Sequence, residues 1–395
     1  MTTPDPTTHE FSAEPQNESD SVAAEDTQVS GAEMIAAVQL SMVSGIGPLT
    51  QRSLLERFGT ALAVLKAPPS ELRLVQGVGP QLSRAISTAR RSDVIEEIKR
   101  CQANNIRIVH QQASDYPRML REIHDPPGVI YVRGEMRPQD QLAIAVVGTR
   151  HATNYGRQQA ERLSASLARA GLTIVSGLAR GIDAAAHQGA LSAGGRTIAV
   201  LASGVLNIYP PEHQELAESI VQNGALMSET STLSKPRPGS FPRRNRLITG
   251  MSLGVIVVEA APRSGALLTA MHATEQGREV FAVPGRVDSR LSRGCNRLIR
   301  DGAKLVESAE DVLEELGPLV EAAPQEDGRV VHRPAELQLN EQERLVLDAI
   351  DTDATNVEAI VVATQLPIHR VLSTISVLEM RKLVRRLSGT TVSRI

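Results

Sequence analysis

The sequence has no tryptophan and only four tyrosines and four phenylalanines in 395 residues. Its cores must therefore be built from Leu, Val, Ile and Ala. Stacking platforms for nucleobases are correspondingly scarce. The two cysteines, Cys101 and Cys295, form no CxxC pair and no metal-ligand spacing. That pattern argues against a zinc site and for a reducing compartment. No apolar run approaches the ~20 residues that span a bilayer. The N-terminus is too polar and acidic for a secretory signal. The expectation is a soluble, cytoplasmic protein with no membrane partner. Residues 1–33 also lack any Lys or Arg while carrying eight acids. With almost nothing to bury, that stretch is expected to be a disordered acidic tail.

The net charge of −3 hides a segregation. Residues 317–395 hold eleven acids and nine bases, which leaves 33 bases against 26 acids in 34–316, a net of +7. Twenty-nine of those 33 bases are arginine, the side chain suited to bidentate phosphate contact. A genome that writes Arg for Lys gives the same count, so position must carry the argument.

The chain divides by pattern into a tail (1–33), a helical block (34–105), a central block (106–316), a polar linker (317–337) and a C-terminal block (338–395). The helical block contains an echo. LSMVSGIGPLTQRSLLERFG and LRLVQGVGPQLSRAISTAR each read as helix, G-h-G-P turn, helix. This resembles a tandem helix-hairpin-helix (or SAM-like) unit, whose glycine turns present N–H groups to phosphate. Tight turns in a small helical domain would leave the same trace. The C-terminal block reads as three short helices and a basic hairpin, the outline of a winged helix. A protein-interaction module has that outline too.

The central block alternates apolar runs at 143–147, 172–175, 197–201, 225–227, 254–258 and 278–283 with amphipathic stretches. That alternation predicts an α/β fold, a Rossmann-like, doubly wound, mostly parallel sheet covered on both faces. Such sheets bind ligands beyond the C-terminal ends of their strands. There the sequence places Gly148-Thr149-Arg150, Ser176-Gly177 with Arg180-Gly181, and Arg263-Ser264-Gly265. Glycine turns opening helices can cradle an anion. The stretch 235–250, KPRPGSFPRRNRLITG, has five bases and no acid. It places Arg243, Asn245 and Arg246 in the first turns of a helix expected to begin at Pro242. Cations there oppose the helix dipole, a cost that a bound anion would relieve; a solvated surface is the plainer account. Tyr155, Tyr209 and Phe241 are the candidate stacking platforms in the centre.

A hydrolytic site in SGLARGIDAAAHQGAL would need Ser176, Asp183 and His187 to converge. Asp183 and His187 are i and i+4 on one helix, which leaves little freedom to meet Ser176 as well. Glu229 and Glu259 end strands and read either as acid/base groups or as partners that orient the arginines.

The segments VGTRHATNYG, IVSGLARGIDAAAHQGAL, YPPEHQEL, FPRRNRLITG…FAVPG and GCNRLIRDGAKLV together resemble the DNA-processing protein A (DprA/Smf) family. The resemblance runs over residues 34–316. It implies an extended Rossmann-like domain that binds single-stranded DNA, a helical N-terminal domain and a C-terminal winged helix. It also implies homodimerisation, loading of RecA recombinase in natural transformation, and no enzymatic activity, cofactor or metal. The implied DNA-binding residues are the strand-end and FPRRNR residues named above. The chain departs from the family pattern at Thr149, at Gly204-Val205-Leu206 and at His213. A more distant resemblance, to lysine-decarboxylase-like phosphoribohydrolases, is the enzymatic rival. Their P-G-G-x-G-T-x-x-E segment corresponds here to Arg263–Ala270, which lacks the glutamate. A scaffold for RecA with no DNA contact is a third reading.

Overall fold

The computed structural model describes residues 31–317, 323–325 and 328–395. The acidic tail lies outside the described residues as far as residue 30. Residues 31–33, assigned to it by composition, are instead the first turn of a helix over 31–42. The chain separates into two compact units, residues 1–95 and 96–395.

In the first unit the echo becomes geometry. Gly45 and Gly77 hold φ values of 96° and 85°, open to glycine at little cost. Gly47 and Gly79 then cap helices Pro48–Phe58 and Pro80–Ser87. Proline at the first helical position costs nothing there, because that N–H has no intrahelical partner. A Cβ on Gly45 would touch Leu82, and one on Gly77 would touch Thr50. Each turn therefore rests against the helix that follows the other turn.

The second unit is built on a nine-stranded sheet. Its strands are β1 (Ile106–His110), β2 (Val129–Gly134), β3 (Ala143–Val147), β4 (Thr173–Ser176), β5 (Thr197–Val200), β6 (Gly224–Ser228), β7 (Gly254–Val257), β8 (Glu279–Ala282) and β9 (Lys304–Leu305). The order across the sheet is β1-β2-β6-β5-β4-β3-β7-β8-β9. Strands β3 to β9 run parallel, while β1 and β2 join antiparallel beside β6. The six expected strands are all present. The antiparallel pair was not expected, although the run VIYV at 129–132 carries its signal.

The central helices are α1 (Asn154–Arg169), α2 (Ile182–Ser192), α3 (Gln214–Asn223), α4 (Ser240–Gly250), α5 (Gly265–Glu275), α6 (Arg293–Arg300) and α7 (Ala309–Glu315). Alternate residues of each strand feed opposite cores. Ile144, Ile174 and Ile256 meet Leu163 and Leu167 of α1, Ala186 of α2 and Val312 of α7. Ala145, Val175 and Val255 meet Leu247 and Ile248 of α4, Ala270 of α5 and Cys295 of α6. The chain runs outward from β3 to β6, then returns to lay β7 on the other side of β3. The loops after β3 and β7 thus part toward opposite faces, which opens a crevice at the strand ends.

Part of the segment read as a linker, 317–337, lies outside the described residues, and the described part is paired. Ala323–Pro324 pairs with Val330–Val331, and Ala323 and Val331 are buried against Leu142. Beyond it lie α8 (Glu341–Asp348), α9 (Val357–Thr364) and α10 (Ile368–Met380), with a three-stranded antiparallel sheet of Thr355–Asn356, Val384–Arg386 and Thr391–Arg394. Helices α9 and α10 meet at 111°, within the helix-turn-helix range. This is a winged helix. Among the described residues no single helix is long and apolar enough to cross a membrane.

Candidate nucleic-acid interface

The loops after β3, β4 and β5 meet at the C-terminal ends of the parallel strands. Arg150, Gly177, Arg180, Tyr209 and Phe241 line a cleft there that encloses about 20 Å³. That is room for a water or so. Glycine is what lets the loops approach. A Cβ on Gly148 would sit 2.5 Å from Ile182 Cγ1, and one on Gly181, at φ 78°, would strike the Thr149 carbonyl. The Thr149 N–H donates to the Glu259 carbonyl at 2.7 Å, and its own carbonyl accepts from the Ile182 N–H at 3.3 Å. The ends of β3, β4 and β7 are laced together in this way. Leu178, at φ 59° without being glycine, is pinned by His213, whose Nδ1–H donates to its carbonyl at 2.9 Å.

Two arginines face the cleft. The Arg150 guanidinium lies 4.7 Å over the Phe241 ring, and Tyr209 meets Phe241 edge-on at 5.8 Å. Arg180 is 53% exposed and pairs with Glu212 at 2.5 Å. Their hydrogen bond raises the pKa of Arg180 and lowers that of Glu212.

A profile of the family described as DNA recombination-mediator protein A matches residues 107–317. The chain belongs to that family. A second profile, for the DprA winged helix domain, matches residues 331–390. The chain is 40% identical to Protein Smf of Synechocystis over 284 residues, 71% of each chain. It is 43% identical to DNA processing protein DprA of Bacillus subtilis over 238 residues, 60% of this chain and 76% of that one. The X-ray structure of DNA processing protein A from Streptococcus pneumoniae superposes with a TM-score of 0.63 at 33% identity, covering 71% of this chain and 96% of that one.

The FPRRNR segment divides its residues differently from the sequence expectation. Helix α4 begins at Ser240, two residues before Pro242, and proline sits in its first turn. Arg243 is 45% exposed and pairs with Glu229 at 2.9 Å. Arg244 is buried; its Nη1 donates to the Gly177 carbonyl at 2.6 Å and to the Val200 carbonyl. Burial pulls its pKa down to about 10, opposed by the charge of Asp183. Asn245 donates to the Gly265 carbonyl at 3.4 Å, tying α4 to α5. Arg246, expected to hold phosphate, is a correction. It is 5% exposed, bonded to Glu229 and 3.2 Å from Asp125. Its charge is matched inside the protein, so it braces the loop instead of facing a ligand. Glu229 thus orients arginines, as one of its two readings held.

Ser176 is a second correction. Its hydroxyl is fully buried and donates to the Val146 carbonyl at 2.6 Å, so it cannot touch a strand. The candidate triad is not assembled. Asp183 accepts from the Ala179 N–H at 3.2 Å, and burial raises its pKa. His187 bonds Thr197 Oγ1 at 2.7 Å, and that hydroxyl in turn donates to the Ile174 carbonyl. Burial lowers the His187 pKa to about 3, which keeps the ring neutral. Glu259 accepts from the Thr153 N–H at 2.9 Å and from its hydroxyl at 2.6 Å, at the start of α1.

The third glycine turn stands apart from the cleft walls. Ser264 caps α5 by accepting from the Ala266 N–H at 3.3 Å, and Arg263 is exposed beside it. Within Arg263–Ala270, the segment that lacks the rival enzymes' glutamate, the Thr269 hydroxyl donates to the Gly265 carbonyl at 3.4 Å. Sequence reasoning missed Glu212 as the partner of Arg180. The adjacency of Tyr209-Pro210 and Glu212 in one short loop was the available signal.

Proposed function

We propose that the chain is a single-stranded DNA-binding recombination mediator that holds DNA by its phosphates and delivers it to RecA recombinase. The observation that carries this reading is the convergence of Arg150 and Arg180 with Tyr209 and Phe241 at the ends of β3 to β5. Cations release counterions on meeting phosphates, and a small aromatic platform supports bases without selecting among them. Arg243 and Arg263 extend the positive surface along α4 and the end of β7. The role needs no bond-making chemistry, and none of the candidate catalytic residues meets another in a catalytic arrangement. The protein works as a homodimer in the cytoplasm, with the winged helix as an auxiliary part.

Fluorescence anisotropy on single-stranded oligonucleotides over a range of salt tests this. Arg150→Ala should weaken binding alike for all sequences and make the salt slope shallower by about 0.7. Arg297→Ala, at an exposed residue on α6 paired with Asp301, should change neither. A folded Arg150→Ala protein with unchanged affinity and slope would remove the strand from this cleft.

A further inference from the structure

A second opening lies at the opposite end of the sheet, where the C-terminal end of α1 faces the winged helix. This cleft encloses about 480 Å³, and its walls include Arg169, Gly171, Gln325, His332, Arg344 and Arg394. Its volume falls in the range of ordinary small-molecule sites, roughly 300–1,000 Å³.

Its walls carry arginines in excess over the two carboxylates, Glu336 and Asp348, that also line it. Arg344 is half-buried and donates to the Leu339 carbonyl at 3.1 Å; among the described residues it has no carboxylate partner. Arg169, exposed, donates to Ser166 Oγ at 3.2 Å and has no carboxylate partner among the described residues. Arg394 pairs with Glu336 at 3.0 Å and lies 4.0 Å from Asp348, and Glu336 also accepts from the Arg333 N–H. Gln325 lies over Gly171, a residue at φ 103° whose missing side chain makes room for it. The Gln325 Nε2 is buried and has no hydrogen-bond partner among the described residues. A buried donor without a partner is costly unless something outside the chain accepts from it. Arg169 and Arg344, neither with a carboxylate partner among the described residues, therefore line the same space, with the orphaned Gln325 amide just beneath its surface and half-buried Leu337 beside them.

We infer that this cleft is a second anion site that takes the phosphate groups of a nucleotide, supplied free or as part of a strand. The guanidinium forks match phosphate oxygens in pairs. Half-buried Leu337 offers an apolar edge for the sugar or base. Arg169 belongs to the central domain and Arg344 to the winged helix, so one occupant would bond both and fix their relative placement. The inference does not depend on the strand-end cleft.

Calorimetric titration of the full chain with pyrophosphate, with dAMP and with a short oligothymidylate tests it, using Arg344→Ala, Arg169→Ala and Arg150→Ala. Loss of a charge-assisted bond should weaken the probe that binds by about tenfold or more in Arg344→Ala and Arg169→Ala. Pyrophosphate or dAMP should bind Arg150→Ala as it binds the unaltered protein, and with oligothymidylate the Arg344-dependent part of the signal should persist in Arg150→Ala while the strand-end part is lost. An Arg344-dependent signal with pyrophosphate or dAMP identifies a free nucleotide as the source. A signal with oligothymidylate alone, persisting in Arg150→Ala, identifies a strand. Thermal melting confirms that the variants fold, and Arg344→Lys should recover part of the affinity as a check that charge is what matters. If no probe binds in an Arg344-dependent way, the site does not exist. The strand-end reading would stand regardless, because its signal is the one lost in Arg150→Ala.

Discussion

Arg243 and Arg244 are neighbours in one helical turn, yet the same substitution should cost far more at Arg244 than at Arg243. Arg244→Met keeps the bulk of the side chain and removes its charge and donors. Two buried carbonyls, at Gly177 and Val200, then lose a donor. Buried Asp183 loses the cation that opposes its raised pKa. Removing one member of a buried charged arrangement costs about 3–5 kcal/mol. For a domain of this size that lowers Tm by roughly 6–20 °C. Arg243→Met removes a 45%-exposed group whose partner, Glu229, keeps Arg246. Exposed pairs contribute about 0–1 kcal/mol, so its Tm should fall by no more than about 4 °C. Calorimetric melts of the two variants decide the matter. The Arg244 guanidinium also occupies the space beside Gly177 where a side chain would otherwise lie. Even below its melting range, the Arg244→Met protein should bind single strands poorly because the cleft loop is unsupported. Equal melting temperatures for the two variants would show that Arg244 is not the brace described here.

Other consequences follow from the same geometry. His187 has a folded pKa near 3 against 6.5 when free, so its stabilising effect is complete above about pH 6.5 and declines as the solution acidifies. Between roughly pH 7.5 and 5.5 it accounts for about 1.4 kcal/mol of lost stability; in urea titrations His187→Gln should flatten the pH dependence by that amount, and an unchanged slope would contradict the buried neutral ring. Glu212→Gln frees Arg180 from its carboxylate and should tighten single-strand binding, roughly twofold to fivefold at low salt; weaker binding would mean that Glu212 instead holds Arg180 in its working orientation. Gly181→Ala presses a methyl onto the Thr149 carbonyl and should lower both stability and DNA affinity, whereas Gly265→Ala, which meets nothing within 4 Å, should lower neither.

The parallel strands were legible because a strand buried on both faces writes an unbroken apolar run, as AIAVV at 143–147 does. Strands β1 and β2 were less so. Exposed Arg107 interrupts β1, and its partner exists only through long-range pairing. The cleft was legible at Arg150, Gly177 and Arg180, since strand ends and glycine turns mark their own positions. FPRRNR misled because a run of arginines reads as surface. Its helical phase carried a correction: Arg244 shares a face with Leu247, Ile248 and Met251, all buried. Nothing local could reveal that Arg246 would meet Asp125, which lies far away in the chain.

Strand β9 bears on how copies of this protein can associate. It is two residues long, and both Lys304 and Leu305 are largely exposed; Lys304 is held by Glu315 at 3.0 Å. A newcomer zipping onto that margin would gain a ladder of only two residues and would have to displace a charge to do so. Growth of the sheet from molecule to molecule therefore ends at β9. A pairing of two copies on that side has to be written in side chains on helix surfaces. Contacts of that kind close on themselves only when the two copies are related by a two-fold axis, whereas a head-to-tail contact would propagate.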